Sequence, residues 1–282
     1  MLIRLPRIRE RPDNLPNSDD EGWGEALSEF HAADRAGRPA AAQLVRSRHA
    51  MKLLLTAYYV AQVTTRPGSA PGSQIGLLSG DPNWSVLVGL NHVRRPARRK
   101  RMVRALMELE RAGLVGLGDQ SSRGRYEKFT LLSERRSDDT AYTVPAEGSG
   151  LPLPVEFWWH GWHLVLEPGE MLTLLMLAEL ASYHSDIHEK QGVGASETVR
   201  WGQYGVSGEV YDHHRFLTLL GLVDRVQDSN ENRREGKVDV KSHGRPDEVY
   251  RFKVRLDRLS EFQPREALTR VRHALNAEIE QL

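Results

Sequence analysis

The chain has 282 residues, and its 39 lysines and arginines nearly balance its 38 aspartates and glutamates, which leaves a net charge of +1. The length suits about two domains, each large enough to bury a core. Cysteine is absent, which excludes disulfides, thiolate metal sites and cysteine nucleophiles and fits a reducing cytosol. No run approaches the roughly 18 apolar residues of a membrane span, and no apolar signal-peptide core follows the first methionine. We therefore expect a bacterial-type cytoplasmic protein with no membrane partner.

Residues 1–39 are predicted to form a flexible N-terminal arm. Prolines punctuate this segment, and its charge changes from basic at 4–11 to acidic at 19–21. Trp23 and Phe30 suit one short amphipathic helix within it. The basic start is interpreted either as an arm that lies on DNA or as a disordered terminus.

The first domain is predicted to span 40–148 and to begin with a single helix over 40–63, which is rich in alanine and leucine and lacks proline and glycine. A loop rich in proline, glycine and serine follows. The stretches SQIGLLSG and SVLVGL are expected to form the short first helices of a helix-turn-helix. Asp81 is predicted to cap the second of these, with Pro82 in its first turn.

The segment 92–115 carries the strongest signal in the chain. Its apolar residues recur at helical spacing, so one face of a helix that begins near Arg95 should meet a core, and Gly113 should end that helix. Two strands, at 114–117 and 125–132, should then form a hairpin. Charge runs normally mix signs, so a run of one sign favours nucleic-acid binding. The basic residues of the segment are Arg94, Arg95, Arg98, Arg99, Lys100, Arg101 and Arg104.

The second domain is predicted over 149–260, after a polar linker that places the domain boundary near residue 148. The aromatic stretch LPLPVEFWWHGWHLVL is expected to be extended, and its tryptophans are interpreted as core or interface rather than as base-stacking groups. A closing amphipathic helix, within 261–282, is a candidate for dimerisation. The other predicted elements are three helices, at 171–183, 196–204 and 208–223, and two strands, at 222–227 and 249–256. Gly205 is predicted to end the helix at 196–204. Ser207 is predicted to cap the helix at 208–223, and Gly221 to end it.

An internal repeat relates the two halves. RALMELERAGLV (104–115) and DHHRFLTLLGLV (212–223) align without a gap, and each is followed by a predicted hairpin. MKLLLTAYYVA and MLTLLMLAELA occupy matching places upstream. A period above 100 residues is too long for a solenoid, so it indicates two copies of one domain.

With these elements in place, the chain resembles the winged helix-turn-helix superfamily in two tandem copies, over roughly 40–132 and 160–258. The segment RWGQYGVS, followed by YDHHRFLTLLGLV, is similar to the turn and recognition helix of bacterial winged-helix regulators. The resemblance implies a mainly α fold with small β-hairpins (α+β), made of two tandem winged-helix domains, and it implies that the basic residues of 94–104 are the first recognition helix.

The resemblance also assigns the second recognition helix and both wings. Glu209 and Asp212 would repel phosphates, so the second copy is expected either to read bases through its tyrosine and histidines or mainly to dimerise. The implied DNA-binding residues outside the basic segment are Ser121, Ser122, Arg123 and Arg125 in the first wing, Ser207, Tyr211, His213, His214 and Arg215 in the second helix, and Asn232, Arg233, Arg234, Lys237 and Lys241 in the second wing.

Other chemistry finds little support in the sequence. His184 and His188 share a helical face if the helix extends that far, but no histidine and carboxylate set has the spacing of a zinc site. Nucleotide-binding glycine motifs and a GxSxG elbow are absent. We therefore expect no metal, no cofactor and no enzymatic activity.

The expected function is sequence-specific binding of double-stranded DNA by a nucleoid-associated homodimer, most simply as a transcriptional regulator. One alternative is a plasmid or phage replication initiator or partition protein that binds repeated sites. Another is a winged-helix interaction subunit of a chromosome-organising complex, with a protein as its partner, although the arginine run argues against that role.

Overall fold

The computed structural model describes residues 2–5, 39–72, 75–80, 82–133, 140–146, 149–226, 237–242 and 245–260, the backbone alone being described at 237–242 and 245–249. Helices predominate in this part of the chain, and its strands form small two-stranded antiparallel sheets. The prediction of a mainly α chain with small β-hairpins is thus confirmed. None of the described helices is both long enough and apolar enough to cross a bilayer.

The described chain divides into two compact units. The first contains residues 2–5 and 43–168, and the second contains 39–42 and 169–260. The first half of the chain forms, in order, β1 (Leu2–Leu5), α1 (Ala40–Gln43), α2 (Arg48–Thr64), α3 (Trp84–Leu87), α4 (Arg95–Arg111), β2 (Val115–Leu117), β3 (Phe129–Leu131), β4 (Leu151–Pro154), α5 (Glu156–Trp159) and α6 (Trp162–Val165). The second half forms α7 (Pro168–Tyr183), α8 (Ser185–Gln191), α9 (Glu197–Tyr204), α10 (Gly208–Tyr211), α11 (His214–Leu219), β5 (Val223–Arg225), β6 (Lys237–Ser242), β7 (Arg245–Tyr250), β8 (Phe252–Val254) and a 3₁₀ turn (Leu256–Leu259).

The division between the units lies at residue 168, about 20 residues after the boundary predicted near 148. Strand β1 pairs antiparallel with β4, with Leu5 opposite Leu151. The indole nitrogen of Trp158 also donates to the Leu55 carbonyl oxygen at 3.1 Å. These long-range contacts attach 149–168 to the first unit. They also show that residues 2–5, predicted as part of a flexible arm, form a strand; residues 1 and 6–38 of that arm lie outside the described residues.

Three other local predictions are wrong. The helix predicted over 40–63 is broken between α1 and α2, where a turn closed by the Ser47 N–H on the Leu44 carbonyl buries Leu44. The stretch predicted as extended after β4 instead forms two short helices, α5 and α6. The described residues of SQIGLLSG form bends, and Asn83, whose side chain accepts from the Val86 N–H at 3.3 Å, caps α3. Asp81 lies outside the described residues.

The core of the first unit includes the packing of α4 on α2. Helix α2 buries most of its length, including Met51, Leu54 and Tyr58. Helix α4 begins at Arg95 with Pro96 in its first turn, as predicted. It buries Met102, Ala105, Leu106 and Leu109, a stripe at spacings of three and four. That stripe decides which side of α4 faces solvent.

The predicted glycine stops at Gly113 and Gly221 are confirmed, and they have the same geometry. Gly113 and Gly221 have φ values of 71° and 73°. After α4, the Leu114 N–H donates to the Leu109 carbonyl at 3.0 Å, and after α11 the Leu222 N–H donates to the Leu217 carbonyl at 3.0 Å. This pattern is a Schellman motif. A strand follows each motif directly, and β2 pairs with β3 as β5 pairs with β8, so both predicted hairpins are present.

The second unit is built around α7, whose residues from 168 to 180 are all buried. Ser196 and Ser207 cap α9 and α10, each accepting a backbone N–H at 3.3 Å, and Gly205 ends α9 as predicted. The single helix predicted over 208–223 is divided into α10 and α11 at Asp212 and His213. The predicted closing helix lies outside the described residues.

Substitution of Gly113 by alanine tests how strongly the Schellman turn holds α4 to its hairpin. A Cβ at Gly113 would meet no atom within 4 Å, so the cost comes from the left-handed backbone alone and should be about 1 kcal/mol. We expect urea unfolding to show that loss. Gly124→Ala is the control, because Gly124 also has free space around it but no positive φ; a loss of equal size there would contradict the explanation.

Candidate nucleic-acid interface

The solvent side of α4 presents basic side chains, because the opposite side is occupied by the buried stripe. Arg94, Arg95, Lys100 and Arg101 are exposed. Within the described part of the chain, no carboxylate forms an ion pair with any of these four. The first turn of the helix holds no acidic residue. These four exposed side chains therefore carry positive charge that no described carboxylate pairs with, and we call them the open basic surface.

Arg98 has a different role from its neighbours. Its Nη2 donates to the Asn91 and Val93 carbonyl oxygens, both at 3.0 Å, and its Nε donates to Val93 at 3.2 Å. The guanidinium thus binds the carbonyl groups of the turn that leads into α4. Its hydrogen-bonding capacity is largely used inside the protein, so Arg98 stabilises the start of the helix.

Two further arginines of α4 are paired with glutamates. Arg99 Nη1 donates to Glu127 Oε1 at 3.0 Å, across 28 residues of sequence. Arg104 Nε donates to Glu108 Oε1 at 3.0 Å, one helical turn along. The Arg104 side chain is 81% exposed, so this second pair is a surface contact of small energetic value.

The hairpin beside α4 is fixed to it by a third pair. Arg125 Nη2 lies 2.6 Å from both carboxylate oxygens of Glu110, and only 11% of the Arg125 side chain is exposed. Trp84 packs on Phe129 with ring centroids 5.2 Å apart. Arg125, predicted as a DNA contact, is therefore a structural anchor, whereas Ser121, Ser122 and Arg123 are exposed at the hairpin tip.

An open groove lies between the first turn of α4 and the hairpin. Its volume is about 460 Å³, and it is lined by Leu78, Ser79, Arg95, Pro96, Arg99 and Glu127. Two cations and one carboxylate therefore line the same space as the apolar side chains of Leu78 and Pro96. The groove brings together residues from three separate parts of the sequence.

The second unit places its predicted contact residues differently. Tyr211 and His214 are only 7% and 3% exposed, so both predictions of direct base contact are wrong for the structure as folded. The His214 ring lies among Tyr211, Tyr250 and Phe252, with centroids 4.8 to 5.3 Å away. Ser207 is occupied as a helix cap.

Among the described side chains of the second unit, the remaining predicted residues do not form a comparable basic surface. Arg215 is exposed on α11, but Glu209 and Asp212 are exposed close to it in sequence, and His213 is half-buried against Gly169. Lys237 and Lys241 lie on β6, where the backbone alone is described, and Asn232, Arg233 and Arg234 lie outside the described residues. The described surface of this unit is thus mixed in charge.

Burial shifts the pKa values of several groups in the cores. Desolvation lowers the pKa of His214 to about 4 and that of His163 to about 4, and it raises the pKa of Tyr211 to about 12. Each shift favours the neutral form, as expected for a group removed from water. These residues are therefore uncharged near neutral pH and contribute packing rather than charge.

His188, one of the two histidines considered as metal ligands, makes a structural hydrogen bond instead. His188 Nε2 accepts the Val254 N–H at 2.8 Å, which uses its ring to join α8 to β8. In the residues that the structure describes, no three histidine, aspartate or glutamate side chains come close enough to hold a metal ion. The aromatic stretch is core: Phe157, Trp158 and Trp162 are buried, and the exposed Trp159 donates to the Tyr59 hydroxyl at 2.9 Å.

Sequence reasoning missed the three glutamates that partner the basic residues. The pairing of Glu108 could have been predicted, because a glutamate four residues after an arginine on a helix commonly forms an ion pair with it. The pairings of Glu110 and Glu127 could not, since their partners are 15 and 28 residues away and meet only once the hairpin folds onto α4.

No known protein family, no curated protein and no solved structure matches this chain.

His214 gives a prediction on pH. Its folded pKa lies below the usual 6.5, so its contribution to stability is complete above pH 6.5 and is lost as pH falls towards 4. Between pH 7.5 and pH 5 the second unit should lose on the order of 1–2 kcal/mol. Hydrogen exchange of peptides from 169–204 should report this as faster opening, after correction for intrinsic rates.

His214→Phe should remove most of that loss, because a phenyl ring suits the surrounding aromatic cluster and takes up no proton. His92→Phe is the matched control, since His92 is exposed and its replacement should leave the acid sensitivity of the second unit in place. Equal acid sensitivity in wild type and His214→Phe would show that another group is responsible.

Proposed function

We propose that this chain is a sequence-specific double-stranded DNA-binding protein, and that each unit is a winged helix-turn-helix. The observation that carries the proposal is the open basic surface on α4, four exposed cations that form no ion pair with any of the described carboxylates. The other observations below support it.

The order of elements supports the winged-helix assignment. In the second unit, α7 and the short helix α8 are followed by Val193, which bridges to Phe252 through two backbone hydrogen bonds. Helix α9, a short turn, α10 and α11, and the pair β5–β8 come next. A helix, a bridging strand, a helix-turn-helix and a hairpin in this order are what a winged-helix domain requires. The first unit repeats the later part of that order with α3, α4 and the pair β2–β3.

Helix α4 suits the recognition role on physical grounds. An α-helix fits the major groove of B-DNA, where the base edges are accessible. Each cation that neutralises a phosphate releases condensed counterions, which favours binding at low salt. Arg94, Arg95, Lys100 and Arg101 have no internal ion pair to give up among the described residues, so we assign them to the phosphates.

The second unit is proposed to contribute less to affinity. Glu209 and Asp212 lie exposed on the helices that would enter a groove, and a carboxylate near phosphates is repelled. This unit is better suited to contact a second copy of the chain or another protein. A homodimer on DNA is part of the proposal.

Transcriptional regulation is the simplest biological role for such a protein. A replication initiator or partition protein would use the same surface on directly repeated sites, and a map of the bound sites separates the two. Discrete sites near promoters favour a regulator, whereas repeats at an origin favour an initiator. A subunit of a chromosome-organising complex would bind DNA weakly and copurify with a partner.

The open basic surface is tested by the triple variant Arg94→Ala, Lys100→Ala and Arg101→Ala. It should lose affinity for all duplexes, and the plot of log K against log salt concentration should become shallower by about 2.7, since each lost phosphate contact removes roughly 0.9 from the slope. Fluorescence anisotropy with genomic fragments at several salt concentrations measures both quantities.

The control for charge is Arg66→Ala, Arg111→Ala and Lys190→Ala, which also removes three exposed cations but none from the start of α4. It should bind almost as wild type does. The proposal is contradicted if both triple variants bind equally well, or if the wild type binds no duplex above background.

Arg98→Ala separates structure from binding within the same run of arginines. Because Arg98 binds its own chain at three hydrogen bonds, its loss should cost about 1–3 kcal/mol of stability in urea unfolding. The salt slope of DNA binding should stay within error of wild type. A slope shallower by 0.9 at unchanged stability would instead identify Arg98 as a phosphate contact.

A further inference from the structure

The Arg99–Glu127 pair differs in kind from the other charges on α4. Both side chains are close to half exposed, at 48% and 41%, and both line the open groove. The pair joins the helix to the hairpin, so it is held by the fold of both elements rather than by one flexible turn. This combination of a fixed position and solvent access indicates a functional role.

The position of Glu127 is fixed by its surroundings. Two residues before it, Arg125 is anchored on Glu110, and the Glu127 N–H donates to the Gly124 carbonyl at 2.9 Å. The carboxylate is thus carried on a hairpin that is clamped to α4. Arg99 is therefore oriented from outside its own helix.

The pair leaves one side of the guanidinium available. Glu127 accepts from Nη1 alone, and within the described residues the side formed by Nε and Nη2 makes no hydrogen bond. Two parallel N–H groups at that side match the two acceptors, O6 and N7, that guanine presents in the major groove. The geometry needed for bidentate donation is therefore retained while the pair is intact.

The net charge of the Arg99–Glu127 pair determines which part of the DNA it favours. The guanidinium and the carboxylate together have no net charge, so the pair is only weakly attracted to a phosphate. The exposed carboxylate oxygen is repelled by the phosphate. A guanine edge is neutral and exerts no such repulsion, and the amino group of its paired cytosine is a donor that a carboxylate can accept. The pair should thus favour base edges over phosphates.

We propose that the Arg99–Glu127 pair is the base-reading element of α4, with Arg99 recognising guanine and Glu127 as the residue that sets this specificity. The inference rests on the proposed function and divides the basic residues into two groups. The open basic surface supplies affinity that is independent of sequence, and Arg99 supplies discrimination.

Single substitutions at Arg99 and Arg101 test this division on a selected site and on a random-sequence duplex. Arg99→Ala should weaken binding to the selected site about tenfold, in line with the loss of one bidentate base contact, and should remove the preference for guanine at one position. Its salt slope should not change. Arg101→Ala should weaken binding to both duplexes equally and make the slope shallower by about 0.9.

Glu127→Gln tests the carboxylate while preserving its shape. With Glu127 neutral, Arg99 becomes a full cation, so binding to the random duplex should tighten about tenfold and its salt slope should become steeper by about 0.9. Affinity for the selected site should rise less, so the ratio of specific to random binding falls. In an Arg99→Ala background, Glu127→Gln should tighten both duplexes equally and leave the ratio of specific to random binding unchanged, because the carboxylate sets that ratio through Arg99.

Asp119→Asn is the matched control, because Asp119 is an exposed acid in the same hairpin and none of the described arginines forms an ion pair with it. Its neutralisation should tighten both duplexes slightly and equally. If Glu127→Gln behaves like this control, Glu127 is only a nearby negative charge, and the inference is overturned.

The failure of the inference and that of the proposed function are distinguishable. If Arg99→Ala weakens every duplex equally and lowers the salt slope by 0.9, Arg99 contacts phosphate; DNA binding then stands and base reading by the pair does not. If neither the wild type nor Glu127→Gln binds any duplex above background, the DNA-binding proposal itself fails.

Discussion

The packing of α4 on α2 is the constraint on which the first unit depends. Met102, Leu106 and Leu109 are completely buried, and burying each such side chain is worth about 1.5–3 kcal/mol. Rotation of α4 about its axis would expose these side chains and bury arginines in their place, which is far more costly. The apolar stripe thus determines which basic side chains reach solvent, so the function proposed for α4 follows from its core packing.

The Schellman turns extend that constraint into the hairpins. In each unit a left-handed glycine reverses the chain, and the next leucine is buried and donates back into the helix. The Leu132 N–H donates to the Leu114 carbonyl, and the Arg255 N–H donates to the Leu222 carbonyl, both at 2.9 Å. The returning strand is therefore attached to the helix end at the same position in both repeats. In the first unit this attachment brings Glu127 and Arg99 together.

The features that the sequence alone predicts well are the ones with local causes. The start of α4 at Arg95, the glycine ends and the cap at Ser207 each depend on residues within a few positions. The early domain boundary and the missed strand β1 share one cause, since Leu5 pairs with a residue 146 positions away. The residues near Leu5 give no indication of this distant partner, so the local sequence pattern does not predict the β1–β4 pairing.

The errors at the candidate site have a similar origin. In a single helix over 208–223, the helical repeat alone would fix the directions of the His213 and His214 side chains. The break between α10 and α11 changes those directions, and the His214 side chain is buried in the aromatic core. The basic stretch looked uniform because sequence shows charge but not pairing. Arg98, Arg99 and Arg125 are distinguished only by their surroundings: Arg98 meets two backbone carbonyls, Arg99 meets one carboxylate while itself exposed, and Arg125 meets one carboxylate while itself largely enclosed.

The near-zero net charge of the chain is compatible with binding to a polyanion because of this pairing. Glutamates that hold arginines in place cancel charge locally without cancelling the exposed cations at 94–101, and screening limits the influence of more distant acids to about one Debye length, roughly 8–10 Å. The local surface, rather than the chain average, therefore determines what approaches α4. Internal pairing also limits non-specific attraction, because a helix with seven unpaired cations would bind any duplex strongly and gain little from the correct one. In the DNA complex that we propose, the glutamates beside α4 are as important for selectivity as the arginines are for affinity.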